Sequence, residues 1–131
     1  MKKIILKYYP LTGIGLLLIF VIYLIFIPKF DFKNNGKYGI AQIYDFYFLA
    51  KQGRYSIYYN YKVNDLIYKQ STEMESLGIG LRSKLLYKYF PIIYNPEKPE
   101  VSTILITRYE FEEMGLEYPD SLYWVEENRY K

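Results

Sequence analysis

Histidine and cysteine are both absent from this chain. Without histidine there is no Ser-His-Asp or Cys-His catalysis, no side chain that ordinarily titrates near neutral pH, and no imidazole for the common zinc and iron sites. Without cysteine there is no disulfide, no thiolate chemistry and no acylation site of a lipoprotein, and compartment cannot be read from redox chemistry. Tryptophan occurs once, at Trp124, and no internal repeat or low-complexity tract is present. Charge is missing from one long stretch, since no Asp, Glu, Lys or Arg falls between Lys7 and Lys29.

That stretch, Tyr8 to Pro28, is the segment on which the reading of the chain depends. Its purely apolar core, Leu11 to Ile27, covers ~26 Å as a helix rising ~1.5 Å per residue, and its flanks bring it near the ~30 Å of a hydrocarbon layer. A single spanning element must pair every backbone polar group within itself, so an α-helix is expected despite the Ile and Val content. Pro10 suits a first helical turn, Pro28 marks the far end, and Tyr8, Tyr9 and Tyr23 suit the two headgroup levels. Gly13 and Gly15 do not have the spacing of a close-packing helix face. A cleaved signal peptide would leave small residues at its exit, where this chain has Ile27-Pro28-Lys29-Phe30. A helix apolar all round is also hard to enclose in so small a soluble protein. The expectation is a tail over residues 1–9 and a single-pass transmembrane helix over 10–28, acting as an uncleaved signal anchor in the cell membrane. Lys2, Lys3 and Lys7 are matched by Lys29, Lys33 and Lys37, so the free amine and the short leader decide for a cytoplasmic N-terminus and a domain outside the cytoplasm.

Beyond the anchor the chain suffices for one small domain with one core. Its tyrosines, 18 in the whole chain, favour half-buried pleated surfaces and are poorly suited to disorder. Residues 29–37 read as a tether whose Asn35-Gly36 turn tolerates positive φ. Residues 38–50 are almost continuously apolar, which predicts a strand covered on both faces. From Arg54 to Val63 apolar and polar positions alternate, the clearest strand signal in the chain, and Asn64-Asp65 turns it into a hairpin arm over 66–71. Gly78 and Gly80 predict a loop before a short helix or turn over 81–87. A strand over 90–94 is confined by Pro91 to an edge or bulge, Asn95-Pro96-Glu97-Lys98-Pro99 leaves the sheet, and 101–106 forms a last strand. Thr107 and Glu110 have capping-box spacing, Gly115 ends the helix they open, and Trp124 is expected to pack back onto the sheet. The fold class is therefore one N-terminal transmembrane helix plus a small, mainly antiparallel β domain (38–106), as a sheet or partly open barrel, with short helical segments in an acidic extension (107–131).

The hairpin Tyr59 to Tyr68 and the run Tyr94-Asn95-Pro96-Glu97-Lys98-Pro99, with Ser102 and Ile104 after it, resemble a group of small bacterial membrane-anchored domains of unknown function. The resemblance covers roughly residues 36–106, and its distinctive part is the Tyr-Asn-Pro-x-x-Pro exit. It implies a compact antiparallel β domain carried by one or two membrane helices, and it brings no catalytic residues. This chain departs from the pattern in lacking a second membrane helix and in adding the extension 107–131.

Charge divides along the domain, with 11 basic against 6 acidic residues over 29–98 and 3 against 8 over 99–131. Glu110, Glu112, Glu113, Glu117 and Asp120 lack the ligand spacing of a calcium loop and read as a solvated acidic face. Basic residues interleaved with rings from Lys51 to Lys88 read as the two faces of a sheet rather than a nucleic-acid platform, and that basic face suits anionic lipid. No catalytic, cofactor-binding or metal-ligating residue is assigned and no cofactor is expected. The candidate interaction surface is Tyr94, Asn95, Pro96, Pro99, Trp124, Glu112 and Glu113. The partners expected are the lipid bilayer and a protein, with no nucleic acid. The function expected is a non-enzymatic, membrane-anchored interaction or accessory module, such as an immunity or regulatory protein. The alternatives are a structural subunit of a larger membrane complex and a membrane-tethered enzyme using Tyr, Lys or carboxylates.

Overall fold

The computed structural model describes residues 2–26, 29–51, 53–75 and 79–129, without the side chains of residues 2–11, 75 and 79. The chain divides into two units, Met1–Phe30 and Asp31–Lys131. The first holds one helix, α1 (Lys2–Phe26). No glycine or asparagine interrupts its first turns, so residues 2–9 of the expected tail are helical, and Pro10 lies inside the helix rather than in its first turn. From Thr12 onward the side chains are largely exposed, reaching 71% at Ile25 and 77% at Phe26. Among the described residues no helix is long and apolar enough to cross a membrane. The apolar run with described side chains, residues 12–26, is shorter than the ~20 residues a span takes. Ile27, Pro28 and the Leu11 side chain lie outside the described residues.

The second unit is a small antiparallel sheet, nearly barrel-shaped, with short helices. It opens on α2 (Phe32–Asn35), capped by Asp31, whose Oδ1 accepts from the Asn34 amide at 3.2 Å. Five strands follow: β1 (Lys37–Leu49), β2 (Arg54–Val63), β3 (Leu66–Glu75), β4 (Tyr89–Tyr94) and β5 (Ser102–Ile104). They are ordered β3-β2-β1-β4-β5, and the sheet curls until β5 comes close to β3. The helices α3 (Ile79–Leu85), α4 (Arg108–Glu113) and α5 (Tyr123–Asn128), with a 3-10 turn at Asp120–Leu122, complete the unit.

The alternation read in β2 is the core of this fold. Tyr55, Ile57, Tyr59, Tyr61 and Val63 are all buried. The rings of Tyr59, Tyr61 and Tyr68 stack in series at 5.9 and 5.7 Å between centroids. Their polar tips are satisfied across the interior: Tyr59 Oη meets Ser102 Oγ at 2.9 Å, and Tyr61 Oη donates to the Pro99 carbonyl at 2.6 Å. A tyrosine-rich strand can therefore fill a core without leaving a buried hydroxyl unpaired. The β2–β3 hairpin is closed by Asn64 and Asp65 at φ 51° and 66°, a two-residue loop whose left-handed backbone matches the twist of the strands.

Four local expectations are corrected. β1 is covered on one face only: Ala41 and Ile43 point inward, the register shifts between Ile43 and Asp45, and Phe46 then faces Ile57 inside. The extra residue reverses the alternation, so Ala41 and Ile43 before it and the partly buried Phe46 after it share the inward face while Ile40 and Tyr47 stay exposed. Gly36 is extended, at φ −78°, and is needed for space: a Cβ there would collide with Ile93 Cγ2 and lie 2.6 Å from the Phe32 carbonyl oxygen. β4 is not an edge, since it lies between β1 and β5. Pro91 is tolerated because its carbonyl accepts from Leu105 at 2.9 Å, so its missing donor faces the end of the short β5 rather than β1. β3 runs on to Glu75, beyond the expected 66–71, because every residue of β2 finds a partner in it.

Candidate interaction surfaces

The sequence-designated residues do not form one surface. Tyr94, Asn95, Pro96 and Pro99 lie at one end of β4 and in the turn that follows. There Asn95 accepts from the Glu97 amide through Oδ1 at 3.0 Å and from the Lys98 amide through its carbonyl at 3.1 Å, and its own amide donates to Val101 at 2.9 Å. With Pro99 tied to Tyr61, this exit is a closed turn fastened to the core, and only Pro96, Glu97 and Lys98 project fully into solvent. Trp124 is at the other end of the strand, half-buried, with its ring 6.2 Å from that of Phe90. It borders a shallow cleft of about 310 Å³ with Lys84, Lys88 and Asn128, in which Lys84 Nζ donates to Asn128 Oδ1 at 2.8 Å.

Glu112 and Glu113 stand on the exposed side of α4. The helix is held rigidly. Thr107 donates to Glu110 Oε1 from its amide at 3.1 Å and from its hydroxyl at 2.8 Å. At the other end Gly115, at φ 70°, lets its own amide reach the Glu112 carbonyl at 3.0 Å and the Leu116 amide reach Phe111 at 2.9 Å, a Schellman closure. Phe111, Tyr118, Leu122 and Val125 are buried in the core, and the Tyr118 hydroxyl lies within donating distance of the Ile106 carbonyl (3.0 Å) and the Leu122 carbonyl (2.9 Å). The acidic extension is thus part of the folded domain, displaying Glu112, Glu113, Glu117, Asp120 and Glu127 outward. Tyr109 donates to Glu113 at 2.7 Å, a bond that raises the phenol's pKa.

Two features escaped the sequence reading. A polar cleft of about 440 Å³ lies between β3 and the C-terminal segment, lined among others by Arg54, Glu73, Thr103, Glu110 and Arg129. Burial pushes the Glu110 carboxyl up, against the opposing pull of the Thr107 bonds and the Arg129 charge. Among the described residues no group of three acids is placed to hold a metal ion. The second feature is the outward face of the sheet, where Ile40, Ile67 and Tyr89 are 69%, 69% and 65% exposed. Ile40 emerges there because β1 is covered on one face only, which the nearly continuous apolar run of residues 38–50 does not reveal. Together the sheet and its folded extension define a small antiparallel β domain with charged and apolar outer faces. Compared with known proteins, the chain matches no family model, no curated protein and no solved structure.

Proposed function

We propose that the chain is a single-pass membrane-anchored, non-enzymatic accessory module, in which α1 with its flanking residues inserts in the bilayer and the β domain binds a protein partner through its acidic C-terminal face. The observation that carries this reading is α1 itself, whose side chains from Ile14 to Phe26 are apolar apart from one glycine and a tyrosine and are largely exposed. A helix apolar on all sides is at home in hydrocarbon and has no comparable resting place in water. The partner surface is argued from Glu112, Glu113 and Glu117, held outward on a segment whose apolar side chains are locked inward, so that binding would order little and charge would speed association. An immunity or regulatory protein is the concrete form proposed, and the Tyr94-to-Pro99 exit supports kinship with the small anchored β domains it resembles. The test has two parts. The full chain should stay with membranes through alkaline carbonate washing and should tolerate exchange of residues 11–27 for an unrelated spanning sequence. A partner recovered stoichiometrically from mild detergent at physiological salt should be lost on Glu112→Lys with Glu113→Lys; no such partner, or one indifferent to the reversal, overturns the partner reading.

A further inference from the structure

The outward face of the sheet carries an ordered array. The pairings of Tyr89 with Gln42, Gln42 with Asn60 and Asn60 with Lys69 align one row across four strands. Two residues along each strand a second row reads Pro91, Ile40, Lys62 and Ile67, with Ile40 beside Lys62 because the adjacent Ala41 pairs with Tyr61. At ~4.8 Å between strands this patch is about 14 Å wide, with Tyr38 exposed beyond it. Its ionic groups are Lys62 and Lys69. The Lys69 ammonium is 5.6 Å from the Tyr44 ring centroid, and the nearest acid, Asp65, lies at 3.7 Å from Lys62 in the hairpin loop, almost fully exposed. The outward acids Asp45 and Glu73 sit farther along the strands, opposite Tyr58 and Ser56.

We infer that this face docks on an anionic lipid surface, its isoleucines and tyrosines entering the headgroup layer and Lys62 and Lys69 meeting lipid phosphates. The combination of apolar side chains, tyrosines with a polar tip and cations on one outer face is the chemistry of a bilayer interface. A second copy in a two-fold contact is disfavoured, because it would bring the lysines of both copies into one interface with no acid from these rows to meet them. The inference rests on the proposed anchoring, which keeps the domain within reach of a bilayer and turns a weak surface contact into a local one. It also turns a face of the domain without exposed acids in these rows toward lipid.

The chain has no cysteine, so single reporters can be placed without background. Ile67→Cys and Glu112→Cys, each carrying a nitroxide on the full-length chain, are reconstituted into vesicles of phosphatidylcholine alone and of phosphatidylcholine with phosphatidylglycerol. Flotation and relaxation by oxygen and by a water-soluble nickel chelate are then read. The expected result is an Ile67 reporter shielded from nickel in the anionic vesicles only, with the Glu112 reporter open to water in both. Lys62→Gln with Lys69→Gln should return the Ile67 reporter to water, lowering the docked-to-free ratio about thirtyfold at about fivefold per lysine. An Ile67 reporter open to nickel in the anionic vesicles overturns the proposal and leaves the face to a protein partner. Shielding that is equal in both vesicles, or survives loss of the lysines, overturns it as well, and shielding lost on dilution to one chain per vesicle assigns the face to a second copy. A chain that floats only with anionic vesicles supports docking while overturning the anchor; a chain that floats with neither overturns both.

Discussion

Single residues here are set by what surrounds them more than by their type. Gly36 has an ordinary φ and is required because Ile93 and the Phe32 carbonyl fill the space of a Cβ. Gly36→Ala is therefore expected to destabilise the domain by about 1–3 kcal/mol, the usual cost of overpacking, read as a lower denaturant midpoint. Glu110 is the half-buried acid of the capping box, with its pKa raised chiefly by desolvation. A raised carboxyl contributes stability that is present below its unfolded value of about 4.3 and is lost as pH rises through the folded value. Glu110→Gln carries no such titration, so its stability relative to wild type should improve between about pH 4 and pH 7, as measured by denaturation at both. A gap that is constant or widens with pH would show that the carboxylate is not desolvated in solution.

Elements whose signals are local were legible before folding was considered. The Asn64-Asp65 turn, the β2 alternation, and the Thr107, Glu110 and Gly115 punctuation of α4 all follow from bonds made within a few residues. Asp65 holds φ 66°, which L side chains adopt at a cost of about 1 kcal/mol, and its salt bridge to Lys62 is solvent-exposed. Asp65→Gly should accordingly raise the thermal midpoint, with a gain of up to about 1 kcal/mol, and a fall would mean that the Lys62 contact outweighs the backbone strain. The elements that were misjudged depend on distant partners. The β1 bulge answers the register of β2, and Pro91 is admissible in β4 only because β5 stops beside it. In sequence the extension 107–131 reads as short helical segments with a solvated acidic face, set apart from a β domain ending at residue 106, because Gly115 and Pro119 interrupt its periodicity. Its inward residues Phe111, Tyr118, Leu122 and Val125 recur at 7, 4 and 3 positions, and each gains on the order of 1.5–3 kcal/mol by burial.

In the molecule as a whole, Tyr55, Tyr59, Tyr61 and Tyr118 share the core with a larger set of Ile, Leu and Val side chains. Burial is the first cause raising the pKa values of Tyr59, Tyr61 and Tyr118. Unfolded phenols titrate near 10, so the stability these rings contribute is complete below about pH 10 and falls as pH rises through their folded values. Alkaline titration followed by tyrosinate absorbance and circular dichroism should show a late, cooperative rise in absorbance coincident with loss of sheet. A gradual rise with the fold intact would place the three hydroxyls in water. Of the candidate residues, Glu112 and Glu113 stand where a partner could reach them, while Asn95 and Pro99 are engaged in closing the core. The sequence by itself determined the apolar leader, the β-rich class of the domain and the exclusion of histidine and cysteine chemistry, because these depend on composition and on contacts between near neighbours. Only the tertiary structure decided which face of the sheet stays bare, that the acidic extension completes the core, and that the designated residues divide among the two ends of β4 and the outer side of α4, because each of these follows from strand register and from packing between residues far apart in the chain.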